Sequence, residues 1–90
     1  MVEPEDVAEH VFRVIPNSLR GWESVWRYVD GSIEVVVPVN GEVKLSSLKR
    51  LEERLSEKLG RFEISVTDTG VRGWSRDERH MPAVVVRYWP

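Results

Sequence analysis

The chain reads as an α+β domain: a two-layer sandwich of αββαββ order, with a four-stranded, mainly antiparallel sheet and two helices on one face. Three observations predict this. Apolar residues recur at helical spacing in residues 7–15 and again in 48–59, strict alternation marks 61–67, with a further strand over 83–89, and Asp30-Gly31 interrupts two apolar-rich runs where a hairpin turn belongs. Two helices can cover only one face of a four-stranded sheet, so the other face is expected to be open or shared with a second copy.

The first helix begins at Pro4, a residue suited to the first turn, with Glu3, Glu5 and Asp6 placed where the helix dipole is positive. Val7, Ala8, Val11, Phe12 and Ile15 form its apolar stripe, and Pro16 with Asn17-Ser18 ends it. The segment WESVWRYVDGSIEVVVPV then folds at Asp30-Gly31 as a two-residue turn. In that register Trp22, Ser24, Trp26 and Tyr28 share the core face with Val39, Val37, Val35 and Ile33. Arg27 then meets Glu34, and Val25 meets Val36, on the other face.

Asn40-Gly41 marks a second turn, after which LSSLKRLEERLSEKLG reads as a helix. Ser46 or Ser47 is its expected cap, Leu48, Leu51, Leu55 and Leu59 its buried stripe, and Gly60 its left-handed stop. Its charges form a solvated face. Arg61 to Thr67 alternates with Phe62, Ile64 and Val66 inward. Asp68 to Met81 is an irregular connection, and Ala83 to Trp89 is the last strand, with Val84, Val86 and Tyr88 on one face and Val85, Arg87 and Trp89 on the other.

Ninety residues suit one domain, 1–90, with a thin core, since a chain of this size buries roughly 60 to 65% of its unfolded surface. No run is long and apolar enough to span a membrane and no secretory leader is evident, so a cytoplasmic setting is expected. The absence of cysteine removes disulfides, thiolate metal sites and a cysteine nucleophile. Arginine outnumbers lysine ten to three and glutamine is absent, a thermophile-like composition. The net charge of −2 is divided unevenly, −5 over residues 1–43 and +3 over residues 44–90, so a basic footprint can only be local.

Residues 33–70, IEVVVPVNGEVKLSSLKRLEERLSEKLGRFEISVTDTG, carry a strand, a Gly-containing turn, a Leu- and Ser-led helix, and a strand closing on Thr-Asp-Thr-Gly. In that pattern the chain resembles small αββαββ domains: the prokaryotic KH-type RNA-binding modules, the N-terminal domain of the bacterial ribosome maturation factor, and the cytoplasmic domain of cation-efflux transporters. The resemblance implies the fold and a tilt toward RNA- or ribosome-related work. KH modules clamp phosphates through a GxxG loop, and the chain is read as having no such tetrad. Cation-efflux domains bring His and Asp/Glu ligands, whereas neither 47–58 nor 61–67 contains a histidine.

Catalysis and cofactors are not expected. His10 shares a helix face with Asp6 but lacks the further ligands a metal needs. His80 lies near Ser75, Asp77 and Glu78, yet a triad converges from separate parts of a fold, and Ser75 with Glu78 matches a helix-capping pattern instead.

What remains is the connection from Asp68 to Met81, fourteen residues where about four to six are usual. Its Arg72, Trp74, Arg76, Arg79 and His80, together with Arg87 and Trp89 of the last strand, are the candidate partner-binding residues. Tryptophan beside arginine suits either a protein hot spot or stacking of a nucleic-acid base; alternatively Trp74 folds back on its own domain. Val25, Val29, Val36, Val85 and Trp89 are placed on the face away from the helices, diluted there by Arg27, Glu34, Arg61, Glu63 and Arg87, and the last strand is a candidate free edge. The expected function is a non-enzymatic binding module, self-associating or part of a larger assembly; the alternative is an RNA-binding or ribosome-associated domain. In either case Trp22 and Trp26 are assigned to the core and Trp74 and Trp89 to outside contact.

Overall fold

The computed structural model describes residues 2–68 and 81–90, in the order α1 (Pro4–Val14), β1 (Ser24–Arg27), β2 (Ile33–Pro38), α2 (Leu45–Ser56), β3 (Arg61–Asp68) and β4 (Pro82–Trp89). Both helices lie against one face of a four-stranded sheet whose strands run in the order β1-β2-β4-β3, every neighbouring pair antiparallel.

Helix α1 starts as its sequence dictates. Pro4 occupies the first turn, Glu5 and Asp6 follow, and the Glu3 amide donates to Asp6 Oδ2 at 3.3 Å, which satisfies an amide at the helix start. Val7, Ala8, Val11 and Val14 are buried. In α2, Leu51 and Leu55 are buried, with Leu59 just beyond its end. Its ends differ from expectation. Lys44 is the N-cap, so Ser46 and Ser47 sit inside the first turn rather than capping it. The helix closes at Ser56, with the amides of Lys58 and Leu59 both donating to the Leu55 carbonyl, and Gly60 is not among the glycines of positive φ. The last turn tightens on its own carbonyl and needs no left-handed stop.

The last strand is not an edge. β4 lies between β2 and β3 and pairs with both, while β1 and β3 form the two edges. Residues 83–86, Ala-Val-Val-Val, are all buried, the signature of a strand covered on both sides. β2 and β3 run in the same direction with β4 filling the gap between them, so β4 contributes side chains to the surface but no free backbone.

The hairpin register also differs by one residue. Ser24 faces Val36, Val25 faces Val35, Trp26 faces Glu34 and Arg27 faces Ile33. The cause is the turn. Tyr28 pairs with Ser32, its amide donating to the Ser32 carbonyl at 2.9 Å, while the Gly31 amide closes back on the Tyr28 carbonyl at 3.0 Å. The loop therefore holds three residues, Val29, Asp30 and Gly31, with Gly31 at φ +87°, the left-handed position that such loops require. One extra loop residue exchanges the two faces of β1. Trp26 consequently lies on the face away from the helices, and Val25 and Arg27 alternate to the helix side.

The core between helices and sheet is built from Val7, Val11, Leu51, Leu55 and the inward residues of β2 and β4, among them Val35, Val86 and Tyr88. Tyr88 is wholly buried, and its hydroxyl donates to the Val2 carbonyl at 3.1 Å, which ties the chain start to the sheet. On the far face Val36, Ala83 and Val85 form a second, smaller cluster, and they too are buried.

Candidate protein-interaction surface

The face away from the helices is polar and aromatic at its surface. Alternation along β4 sends Arg87 and Trp89 there, and the register places Glu63 opposite Arg87 and Arg61 opposite Trp89. The Arg61 guanidinium lies over the Trp89 ring, 3.9 Å from its centroid. Arg87 lies 4.3 Å from the centroid of Tyr28 and 5.3 Å from that of Trp89. The four side chains make a ladder in which cations and aromatic faces alternate, each contact worth about 0.5 to 1 kcal/mol where solvent reaches it.

The hairpin loop anchors this ladder. Asp30 Oδ1 accepts from the Ser32 amide at 2.9 Å and the Ser32 hydroxyl at 2.6 Å, and its Oδ2 accepts from Arg87 at 3.2 Å. Arg87 Nε also donates to the Ser32 hydroxyl at 3.0 Å. Hydrogen bonds from Ser32, helped by the Trp89 indole and by the charge of Arg87, hold the Asp30 carboxyl below its usual range. The guanidinium of Arg87 is thus committed inside the protein, and Trp89, its ring beside Arg61 and Arg87, is only half-exposed. Of the residues singled out in the sequence, these two are brought together; Arg72, Trp74, Arg76, Arg79 and His80 lie outside the described residues.

The most exposed aromatic side chains continue from the Tyr28 end of this ladder, along residues 22–29. Trp22 is 69% exposed and Trp26 48%, and Tyr28 and Val29 are exposed as well. The assignment of Trp22 and Trp26 to the core is therefore overturned. Val36 and Val85 do not make the far face apolar, since both are buried, and Val25 and Arg27 stand on its opposite side. Sequence reasoning missed Trp22 and Trp26 because Val-Asp-Gly fits a three-residue loop as well as Asp-Gly fits a two-residue one. The usable signal was the run IEVVVP, apolar but for Glu34: a strand buried along its length needs no tryptophan from its neighbour to complete the core.

Strand β1 leaves half of its backbone outward. With Tyr28 and Ser32 a hydrogen-bonded pair, alternation makes Trp26 and Ser24 the residues bonded to β2, and turns the amides and carbonyls of Val25 and Arg27 to the free edge.

His10 belongs to a different place, a shallow concavity of about 340 Å3 lined by Val2, Asp6, Glu9, His10, Arg13 and Lys58. Arg54 Nε donates to His10 Nδ1 at 3.4 Å, which requires a neutral imidazole. Partial burial, together with Arg54, Arg13 and Lys58, lowers the His10 pKa, against a smaller opposing pull from Asp6. Glu9 is engaged by Arg20 at 2.7 Å and by Arg13 at 3.4 Å, and the Arg20 hydrogen bond leads in lowering its pKa. Among the described residues no three metal-binding side chains converge, and no helix is long and apolar enough to cross a membrane.

The reading that the chain has no GxxG tetrad is wrong. Gly70-Val71-Arg72-Gly73 spells the GxxG pattern, in the connection between β3 and β4 and outside the described residues. Comparison of the chain with protein-family models, curated proteins and solved structures finds no match.

Proposed function

We propose that the chain is a non-enzymatic protein-interaction module whose contact surface is the aromatic strip of residues 22–29, continued by the Arg61, Trp89, Arg87 and Tyr28 ladder. One observation carries this reading: two tryptophans, a tyrosine and a fully exposed valine stand in solvent along one short stretch that includes an edge strand. Isolated apolar side chains on a surface are ordinary, but Trp and Tyr concentrated beside Arg are the composition of interface hot spots. The ladder supplies a rigid floor. Its arginines are fixed by Asp30, Ser32 and the rings, so a partner would meet a preorganised surface and lose little side-chain freedom on binding.

The test is a photo-reactive phenylalanine analogue placed at position 22 or 26, with Glu52 on the exposed side of α2 as the control site. Adducts formed in cells at 22 and 26 and not at 52 support the reading; no adduct at either tryptophan position overturns it.

A second reading, RNA binding, rests on the Gly70 to Gly73 tetrad beside Trp74, Arg76 and Arg79. The two separate by salt. Phosphate-driven association weakens steeply as ionic strength rises, and contact through the aromatic strip does not.

A further inference from the structure

Resting on the reading of residues 22–29 as a contact surface, we infer that the partner is a second copy of this chain, joined through β1 to an antiparallel β1 and centred on Val25.

The free edge of β1 fixes which residues can pair. Only residues whose backbone points outward form hydrogen-bonded pairs with an added strand, and in β1 these are Val25 and Arg27, with Glu23 next in phase just before the strand. A two-fold axis through the Val25 pair sets Arg27 opposite Glu23 of the partner subunit, and Glu23 opposite Arg27 of the partner subunit. The one charge within β1 would otherwise protect the edge from association. In this register it meets the opposite charge twice. Glu23 already accepts from the Gly21 amide through Oε2 at 2.7 Å, which sets its carboxylate at the start of the strand and leaves a second oxygen for Arg27 of the partner subunit.

The same register arranges the other face. Trp26 stands opposite Ser24 of the partner subunit, where a small residue leaves room for the indole, and Tyr28, just past the end of β1, is brought to the side of Trp22 of the partner subunit, in the turn just before it, at both ends of the pairing. The exposed aromatic side chains of the strip are thereby used in one arrangement. A register centred on Trp26 instead places Arg27 against Val25 of the partner subunit and leaves both charges unmatched.

The helices leave room for it. α1 packs over β2, and β2 and its symmetry mate would be three strand spacings apart, about 14 Å, against the 8 to 10 Å at which packed helices approach. The two sheets then join as one of eight strands with all four helices on the same side. β3, the other edge, carries no exposed tryptophan or tyrosine and keeps Phe62 and Ile64 packed toward the core.

Light scattering coupled to size exclusion tests this, over a wide concentration range. The intact chain is expected at twice its 10.4 kDa. Arg27→Glu should weaken the dimer about tenfold by setting like charges opposite each other at two places, and Glu23→Arg combined with Arg27→Glu should restore it. Val25→Pro should abolish it while leaving the melting transition in place, because the lost amide points to solvent in the monomer. A monomer at every concentration, or a dimer indifferent to both Arg27→Glu and Val25→Pro, overturns the assignment. The underlying reading fails separately: an adduct at position 26 with a different protein removes the second copy as partner and keeps the contact surface, whereas no adduct removes both.

Discussion

The two arms of one hairpin have opposite fates. β2 is buried along nearly its whole length, with β1 and β4 on either side and α1 above it, whereas β1 is largely exposed although it carries a valine and a tryptophan. Val35 and Val25 face each other across the ladder, yet one is fully buried and the other 44% exposed. Position in the sheet, and a single loop residue that sets the register, decide burial here; side-chain hydrophobicity does not. An edge strand that keeps a tryptophan, with a tyrosine just past its end, has retained apolar area that its own fold does not use.

The largest contrast should appear in paired truncations. Val35→Ala removes packed methyl groups from the core and is expected to cost about 2 kcal/mol, while Val25→Ala, measured on dilute protein, should stay within about 0.5 kcal/mol. Equal losses in urea melts would mean that the two arms are not so different. Next is Gly31→Ala. The space around Gly31 is empty, so the cost is that of a left-handed backbone alone, about 1 kcal/mol, and Gly31→Asn should recover most of it. Deleting Val29 sharpens the point. It turns the three-residue loop into Asp30-Gly31 between the same Tyr28 and Ser32, so the register should survive with a stability change within about 1 kcal/mol; a collapse of the fold would show that the loop does not act as described.

The smallest effect is in pH. His10 binds its proton less readily when folded than its ordinary value of 6.5, so protonation favours the unfolded chain. Its contribution is intact above that value and is lost as pH falls below it. His10→Gln should flatten the stability profile in that window, leaving the later decline caused by Glu9 and Asp30, whose lowered folded pKa values make their contributions fade as pH falls through the carboxylate range. A profile unchanged by His10→Gln would detach His10 from the α1–α2 contact made through Arg54.

Most of the architecture was legible in the sequence. Helical spacing at Val7, Val11, Leu51 and Leu55, and alternation from Arg61 onward, are properties of single elements, set by periods that the residues themselves display. What was not legible depends on relations between elements. Val-Asp-Gly supports two loop lengths whose strands differ in face, and nothing local to Trp26 chooses between them. The interior place of β4 depends on where β3 enters the sheet, although the unbroken Ala83 to Val86 run hinted at burial on both faces. The arginine ladder needed both facts: only with β4 interior and Tyr28 on its side of the hairpin does Arg87 reach Tyr28, Asp30 and Ser32 together.

The most direct test of this account is residue-resolved amide hydrogen exchange along β1 at low and high protein concentration. The structure predicts that the amides of Ser24 and Trp26 exchange slowly at both, being bonded to β2, while those of Val25 and Arg27 exchange fast when dilute and slow when concentrated. Slow exchange at Val25 and Arg27 with fast exchange at Ser24 and Trp26, whatever the concentration, would return the tryptophans to the core and leave no aromatic strip for a partner to meet.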